Sequence, residues 1–429
     1  MVLPLFTLQN VVAELLQTPA SGLPDIVDTP EKFERALADL AAGSGPYAFD
    51  AERASGYRYS ARAYLIQIKR EGGGLHLIDP IPFGPQHPFF IQLNEMIAET
   101  EVILHASTQD LPCLRELGIK PTILFDTELA GRIAGLPRVG LGALTESLLD
   151  ISLAKEHSAV DWSIRPLPED WLNYAALDVE LLVQLRNTME GILISQKKIT
   201  WAHQEFAAIV SSPSPERRPD PWRRTSGMHK VKKRNQLAMV RELWVARDEL
   251  ARSLDIAPGR LLSDIAISTI ATACETTPIV KRRDLEKILR PIGIRSRWLE
   301  NSQLWIDAVA RVIAMNENDM PTPVAKSDSL PHIKVWREKF PEKYIPLSHL
   351  RHSLSVAADE LQIPVENLLT PEYARRICWI LPDPADVPDL LAEFGARHWQ
   401  IEIATPLIHN ALAQTEALVI PDEESVEKD

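Results

Sequence analysis

Prolines at 213, 215, 219 and 221 break the chain at its midpoint. Proline lacks a backbone N–H and fixes φ, so neither a helix interior nor a sheet interior runs through this stretch. It reads as an extended linker, and the residues before it fold apart from those after it. A second break spans 317–331, with Pro321, Pro323 and Pro331 among small polar residues. At 429 residues the chain is too long for one ordinary domain. The breaks predict an N-terminal extension over 1–22, a first domain over 23–210 and a Pro-rich linker over 211–228. A second domain over 229–316, a linker over 317–332, a third domain over 333–416 and an acidic tail over 417–429 complete the division.

The first domain mixes two periodicities. Short apolar runs at 47–50, 64–68, 75–78, 102–105 and 123–125 have strand composition. Helical spacing appears at 88–98, 109–117 and 169–189. The first three strands are close enough to pair antiparallel, whereas the later ones need helical crossovers. The expected result is an α/β domain, a mixed sheet flanked by helices. Beyond the first linker the pattern is almost wholly helical. Asp255-Ile-Ala-Pro-Gly-Arg-Leu-Leu262 is echoed by Gln362-Ile-Pro-Val-Glu-Asn-Leu-Leu369, which predicts two tandem helical modules.

Charge is unevenly placed. The chain carries a formal −13, yet residues 217–300 hold 19 Lys and Arg against 10 Asp and Glu. A local basic block in an acidic protein fits contact with a polyanion or, equally, a solvated helix surface. Residues 333–416 hold 8 basic against 12 acidic groups, so the third domain is expected to pack or orient and not to grip a polyanion. Its Trp336, Trp379 and Trp399 read as core. The three cysteines, Cys113, Cys274 and Cys378, are widely spaced and form no CxxC pair, which excludes a zinc ribbon or disulfide framework and fits reduced cytoplasmic thiols. No run approaches the ~18 apolar residues of a membrane span, and nothing in the sequence calls for an obligate protein partner.

Five Asp-x-Glu pairs occur, at 50/52, 126/128, 178/180, 284/286 and 422/424. Only context separates them. Asp50 and Glu52 end the first predicted strand, where alternate residues share a face. Asp284 and Glu286 lie among Lys281, Arg282 and Arg283, and Asp422 and Glu424 lie in the tail. Asp110 opens a helix, and Tyr174-Ala-Ala-Leu-Asp178 puts a phenol and a carboxylate on one helix face. Several carboxylates converging on hard cations make a two-metal phosphodiesterase site. The chain has no GxxxxGK[ST], GxSxG or HExxH sequence to support other chemistry.

Three motifs carry a resemblance. They are Phe49-Asp-Ala-Glu-Arg53 followed by Ala63-Tyr-Leu-Ile-Gln-Ile68; Leu104-His-Ala-Ser-Thr-Gln-Asp-Leu111 with Phe125-Asp-Thr127; and Asp161-Trp-Ser-Ile-Arg-Pro-Leu167 leading into Tyr174-Ala-Ala-Leu-Asp178. Over about 23–193 the chain resembles the tyrosine branch of the DEDD superfamily of 3′→5′ exonucleases, and within it the bacterial ribonuclease D family. The two helical modules resemble HRDC domains. Arg53 departs from the pattern, since many relatives carry an aromatic or apolar residue there.

The resemblance implies a ribonuclease H-like sheet with the acids at one end and two divalent cations, Mg²⁺ or Mn²⁺. Asp50, Glu52 and Asp178 would hold one cation and Asp50 with Asp110 the other, while Tyr174 orients the attacking water. The implied activity is release of nucleoside 5′-monophosphates from RNA 3′ ends, in tRNA precursors or other structured RNA. Action on DNA and a binding scaffold with an inactive nuclease fold are the alternatives. Arg53, Tyr57, Arg58 and Tyr59 could contact the terminal nucleotide or form an ordinary strand-edge surface. His105 could reach the terminal sugar or be a satisfied core histidine. Lys232, Lys233 and Arg234 are the expected RNA grip of the first helical module.

Overall fold

A computed structural model describes residues 13–154, 160–213, 219–274, 278–293, 295–323, 330–416 and 418. Most of the expected N-terminal extension, the middle of both linkers and the acidic tail lie outside those residues. Among them are eight strands: β1 (Glu14–Leu16), β2 (Ile26–Val27), β3 (Ser44–Arg53), β4 (Ala63–Glu71), β5 (Gly74–Ile78), β6 (Glu101–Leu104), β7 (Ile123–Asp126) and β8 (Ile151–Leu153). Six form one sheet in the order β2-β5-β4-β3-β6-β7. β3, β4 and β5 are antiparallel neighbours, and β6 and β7 add to the other side of β3 in parallel. This is the mixed sheet expected from the spacing of apolar runs. β1 and β8 make a separate parallel pair.

Eight helices accompany these strands: α1 (Pro30–Ala42), α2 (Pro88–Ile97), α3 (Leu111–Leu117), α4 (Thr127–Ile133), α5 (Leu141–Leu149), α6 (Glu169–Glu180), α7 (Leu182–Ser195) and α8 (Ile199–Ser211). The spacing over 169–189 predicts one helix, but the structure has two. Leu181 leaves the helical region, at φ −106° and ψ 1°. The break serves packing: α6 lies on β3, β4 and β5, whereas α7 packs against α4, α5, β3 and β6. One straight rod cannot serve both directions. The core centres on β3 and β4, where Ala48, Phe49, Leu65, Ile66 and Ile68 are fully buried.

The rest of the described chain is helical. The first module is built on α9 (Arg234–Leu254), which buries Leu237, Val240 and Leu243 against Ile267, Ile270, Leu289 and Trp305. The second is built on helices Pro341–Leu361 and His398–Leu412 around Leu350, Leu354, Trp336 and Trp399.

Each module has its own dock on the α/β domain. The second grips α8. The Trp399 ring stacks on Trp201 with centroids 4.7 Å apart, and its indole N–H donates to Glu205 at 3.1 Å. Arg397 pairs with the same Glu205 at 3.1 Å. The first module grips the loop between β3 and β4. There Ala257 N–H donates to Tyr57 C=O at 3.0 Å, Ser60 N–H to Asp255 at 2.8 Å, and Tyr59 hydroxyl to Asp248 at 3.1 Å.

Truncating a buried aromatic costs about 3–5 kcal/mol. Trp399→Ala is expected to destabilise the second module against urea by that order. A loss under about 1 kcal/mol would show that α8 is not its anchor.

Candidate active site

Asp50 and Glu52 sit on β3, opposite Gln67 and Leu65 of β4. The strand's period of two puts both carboxylates on one face. The register shifts between Glu52 and Arg53, a bulge of the kind that re-aims side chains beside active sites.

Asp110 arrives by a tighter device. Ala106 adopts a left-handed conformation at φ 55°, which an L-residue takes at a cost of about 1–2 kcal/mol. Asp126, at the end of β7, holds that turn. Its carboxylate accepts Ala106 N–H at 3.2 Å, Ser107 N–H at 2.7 Å and the Ser107 hydroxyl at 2.6 Å. It also accepts Leu129 N–H at 3.0 Å and so caps α4. Asp126 therefore builds the turn that delivers Asp110. Its neighbour Glu128 pairs with Arg132 one helical turn on, at 2.7 Å.

Tyr174 and Asp178 share the face of α6 that packs on the sheet. Lys69 of β4 ties that helix down through Glu180 at 2.7 Å. The approach to α6 is held by Arg165, whose guanidinium forks onto Asp79 at 2.5 and 2.8 Å and donates to Tyr64 C=O at 2.8 Å. Asp126 and Arg165 lie within motifs singled out in the sequence, but spacing alone assigns them no role.

Carboxylate oxygens of Asp50, Glu52 and Asp178 lie within 4.8 Å of one another. Asp110, 4% exposed, is within electrostatic reach of the same group. Burial first, moderated by Arg53 and the Ala51 amide, leaves Asp50 pushed up to about 6. Burial and the charge on Asp50, opposed by Arg53, push Asp110 up to about 8. Glu52 and Asp178 are raised well above the ordinary carboxylate range by burial and then by the other acids. The Tyr174 phenol is raised by burial, Asp178, Glu52 and Asp50 in that order, so it stays protonated and hydrogen-bonded to Asp178.

The remaining expected contacts divide. Arg53 belongs to the site: its guanidinium is 3.3 Å from Asp110 and 3.5 Å from Gln109. Tyr57 and Tyr59 are spent on the first helical module, with Arg260 stacked 4.0 Å over the Tyr57 ring. Arg58 donates to Ser163 at 2.7 Å. His105 Nδ1 bonds the Thr127 hydroxyl at 2.9 Å, and burial lowers its pKa, which favours the neutral ring. Arg234 donates to Met320 C=O at 2.7 Å, whereas Lys232 and Lys233 are exposed.

Crowded buried carboxylates are stable only with protons or cations among them. This donor set is all oxygen, with no Cys or His in the group, which fits a hard divalent ion such as Mg²⁺ or Mn²⁺.

Known proteins share this arrangement of domains. A 3′-5′ exonuclease family matches residues 24–194, the HRDC domain matches 236–280, and a 3′ to 5′ exonuclease C-terminal domain matches 329–412. Ribonuclease D of Pseudomonas paraeruginosa is 34% identical over 194 residues, 44% of this chain and 50% of that protein. Ribonuclease D of Acidiphilium cryptum is 26% identical over 312 residues, 71% of this chain and 76% of that protein. The chain is similar to ribonuclease D proteins, and its first domain is a 3′-5′ exonuclease domain. Its matches thus span from half to about three quarters of these two relatives' lengths. A protein from Bifidobacterium adolescentis of known structure is 38% identical with a TM-score of 0.81, covering 93% of this chain and 99% of that one. Escherichia coli RNase D, described as an exoribonuclease involved in structured RNA processing, shares the fold at 20% identity and a TM-score of 0.65, over 90% of this chain and 98% of its own. The 3′-5′ exonuclease domain and its acidic cluster together imply a dependence on divalent metal. The second helical segment, expected to be HRDC-like, matches a 3′ to 5′ exonuclease C-terminal domain over 329–412.

The raised acids set a pH dependence. An Asp ionises near pH 3.9 when unfolded, so a higher folded value means that ionisation favours unfolding. The destabilisation is absent below about pH 4 and grows until the Asp110 value, about 8, is passed. In chelator, the melting temperature is expected to fall from about pH 5 to pH 8. Asp110→Asn should flatten the slope, and Mg²⁺ should restore more stability at the alkaline end. A flat profile in chelator would contradict the crowded-carboxylate reading.

Proposed function

We propose that the protein is a 3′→5′ exoribonuclease that releases nucleoside 5′-monophosphates from RNA. The observation that carries this is the convergence of Asp50, Glu52 and Asp178 within 4.8 Å on a 3′-5′ exonuclease domain. Asp50, Glu52 and Asp178 would hold one divalent cation, and Asp50 with Asp110 a second, each Mg²⁺ or Mn²⁺. Bound there, such ions lower the pKa of a water and stabilise the leaving 3′-oxygen.

The chain's own groups do the rest. Tyr174 is a neutral phenol at the edge of the acids, so it aims the attacking water through a hydrogen bond and does not act as a strong base. Arg53, beside Asp110, would offer its positive charge to a phosphate oxygen brought to the acids. Lys232 and Lys233 sit in the basic stretch of the first module and meet the RNA backbone through its phosphates. Structured RNA 3′ ends, tRNA precursors among them, are the proposed substrates, as the description of the Escherichia coli relative supports. A cytoplasmic setting fits the three free cysteines, and no described helix is long and apolar enough to cross a membrane.

Incubating the protein with 3′-labelled RNA and DNA, with Mg²⁺, Mn²⁺ or chelator, tests the proposal. Asp50→Asn and Asp178→Asn should each cut mononucleotide release by at least about 10²-fold. Release that survives both would refute the metal site. Tyr174→Phe should lower kcat by about 10- to 100-fold with KM little changed; a KM effect alone would contradict the water-aiming role. Lys232→Glu with Lys233→Glu should raise KM and flatten its salt dependence.

A further inference from the structure

Gln67 is fully buried at the centre of β4, and neither atom of its amide has a hydrogen-bond partner. Leu65, Ile66 and Ile68 around it are equally buried and apolar. A leucine or methionine would fill this space without the cost of a desolvated, unpaired amide. Its place in the sheet is specific. Gln67 stands directly opposite Asp50 in the antiparallel pairing, and such residues share a face with Cβ atoms about 4.5–5.5 Å apart. That face lies under α6, because Lys69, two residues on, reaches Glu180 of the same helix. The unpaired amide therefore sits between the strand carrying Asp50 and Glu52 and the helix carrying Asp178.

We propose that Gln67 is a positioning residue for the cation site. Its amide N–H donates to the Asp50 oxygen turned away from the cation, directly or through one buried water. This rests on the metal-site reading above. A ligating carboxylate usually takes such an outer partner, and losing it costs about 10- to 100-fold in metal affinity. The amide is then retained for the loaded site and contributes nothing to the stability of the empty fold.

Gln67→Met keeps the length and removes the amide. Mn²⁺ affinity, read by electron paramagnetic resonance without RNA, should weaken about 10- to 100-fold, while the melting temperature in chelator stays the same or rises. Unchanged Mn²⁺ affinity overturns the proposal. So does a large fall in the chelator melting temperature, which would make the amide a structural group. A crystal of the unaltered protein soaked in Mn²⁺ tests it without any variant. The Gln67 amide nitrogen should lie within about 3.2 Å of Asp50 or of a water that also bonds Asp50; an amide bonded elsewhere, or to nothing, overturns it. The unaltered protein failing to bind Mn²⁺ would refute the metal-site reading itself, whereas tight binding that Gln67→Met leaves intact would refute only the role of Gln67.

Discussion

Four carboxyl groups share one buried end of the sheet, where burial raises all of them and the charge on Asp50 makes ionisation of the other three harder still. Left alone, such a cluster pushes its own strands and helix apart or takes up protons. The surrounding structure resists both outcomes with local ties. Asp126 closes the left-handed turn that presents Asp110, Lys69 pins α6 through Glu180, and Arg165 fixes the approach to α6 through Asp79. None of these ties touches the centre of the cluster. They hold its members in place and leave their oxygens facing one another, which is the arrangement a cation needs.

The helical modules connect to this centre through few elements. The loop after β3 leaves the strand that carries Asp50 and Glu52 and is bonded at once to Asp248, Asp255 and Ala257 of the first module. Its Arg58 bonds Ser163 on the approach to α6. A patch with the composition of an RNA-binding surface is thus the joint between catalytic and helical parts. The second module docks elsewhere, on α8, by an aromatic stack and a carboxylate shared between Trp399 and Arg397.

Much of this is legible in the residues. Asp50 and Glu52 obey the strand period, Tyr174 and Asp178 obey the helix period, and both patterns survive folding because they are local. The mixed sheet arises from short gaps between the first three strands and long gaps afterwards. Features that depend on distant partners are not legible. Asp126 and Asp50 both open Asp-x-Glu pairs, yet one carboxylate is spent on backbone N–H groups some twenty residues earlier in the chain. Tyr57, Tyr59 and Arg234 suit RNA by residue type, and only the fold shows that other parts of the chain already occupy them. The break at Leu181 has no glycine or proline to announce it, because two packing directions impose it.

Cation binding carries the central claim, and calorimetry reads it directly. Mn²⁺ titrated into the protein near neutral pH, in two buffers of different ionisation enthalpy, reports both stoichiometry and protons released. Acids held up to about 6 and about 8 must give up protons as the ion enters. Proton release should fall as pH rises past the upper value and should be lost, with tight binding, in Asp178→Asn. Binding without proton release, or binding that Asp178→Asn leaves untouched, would contradict the crowded-acid site.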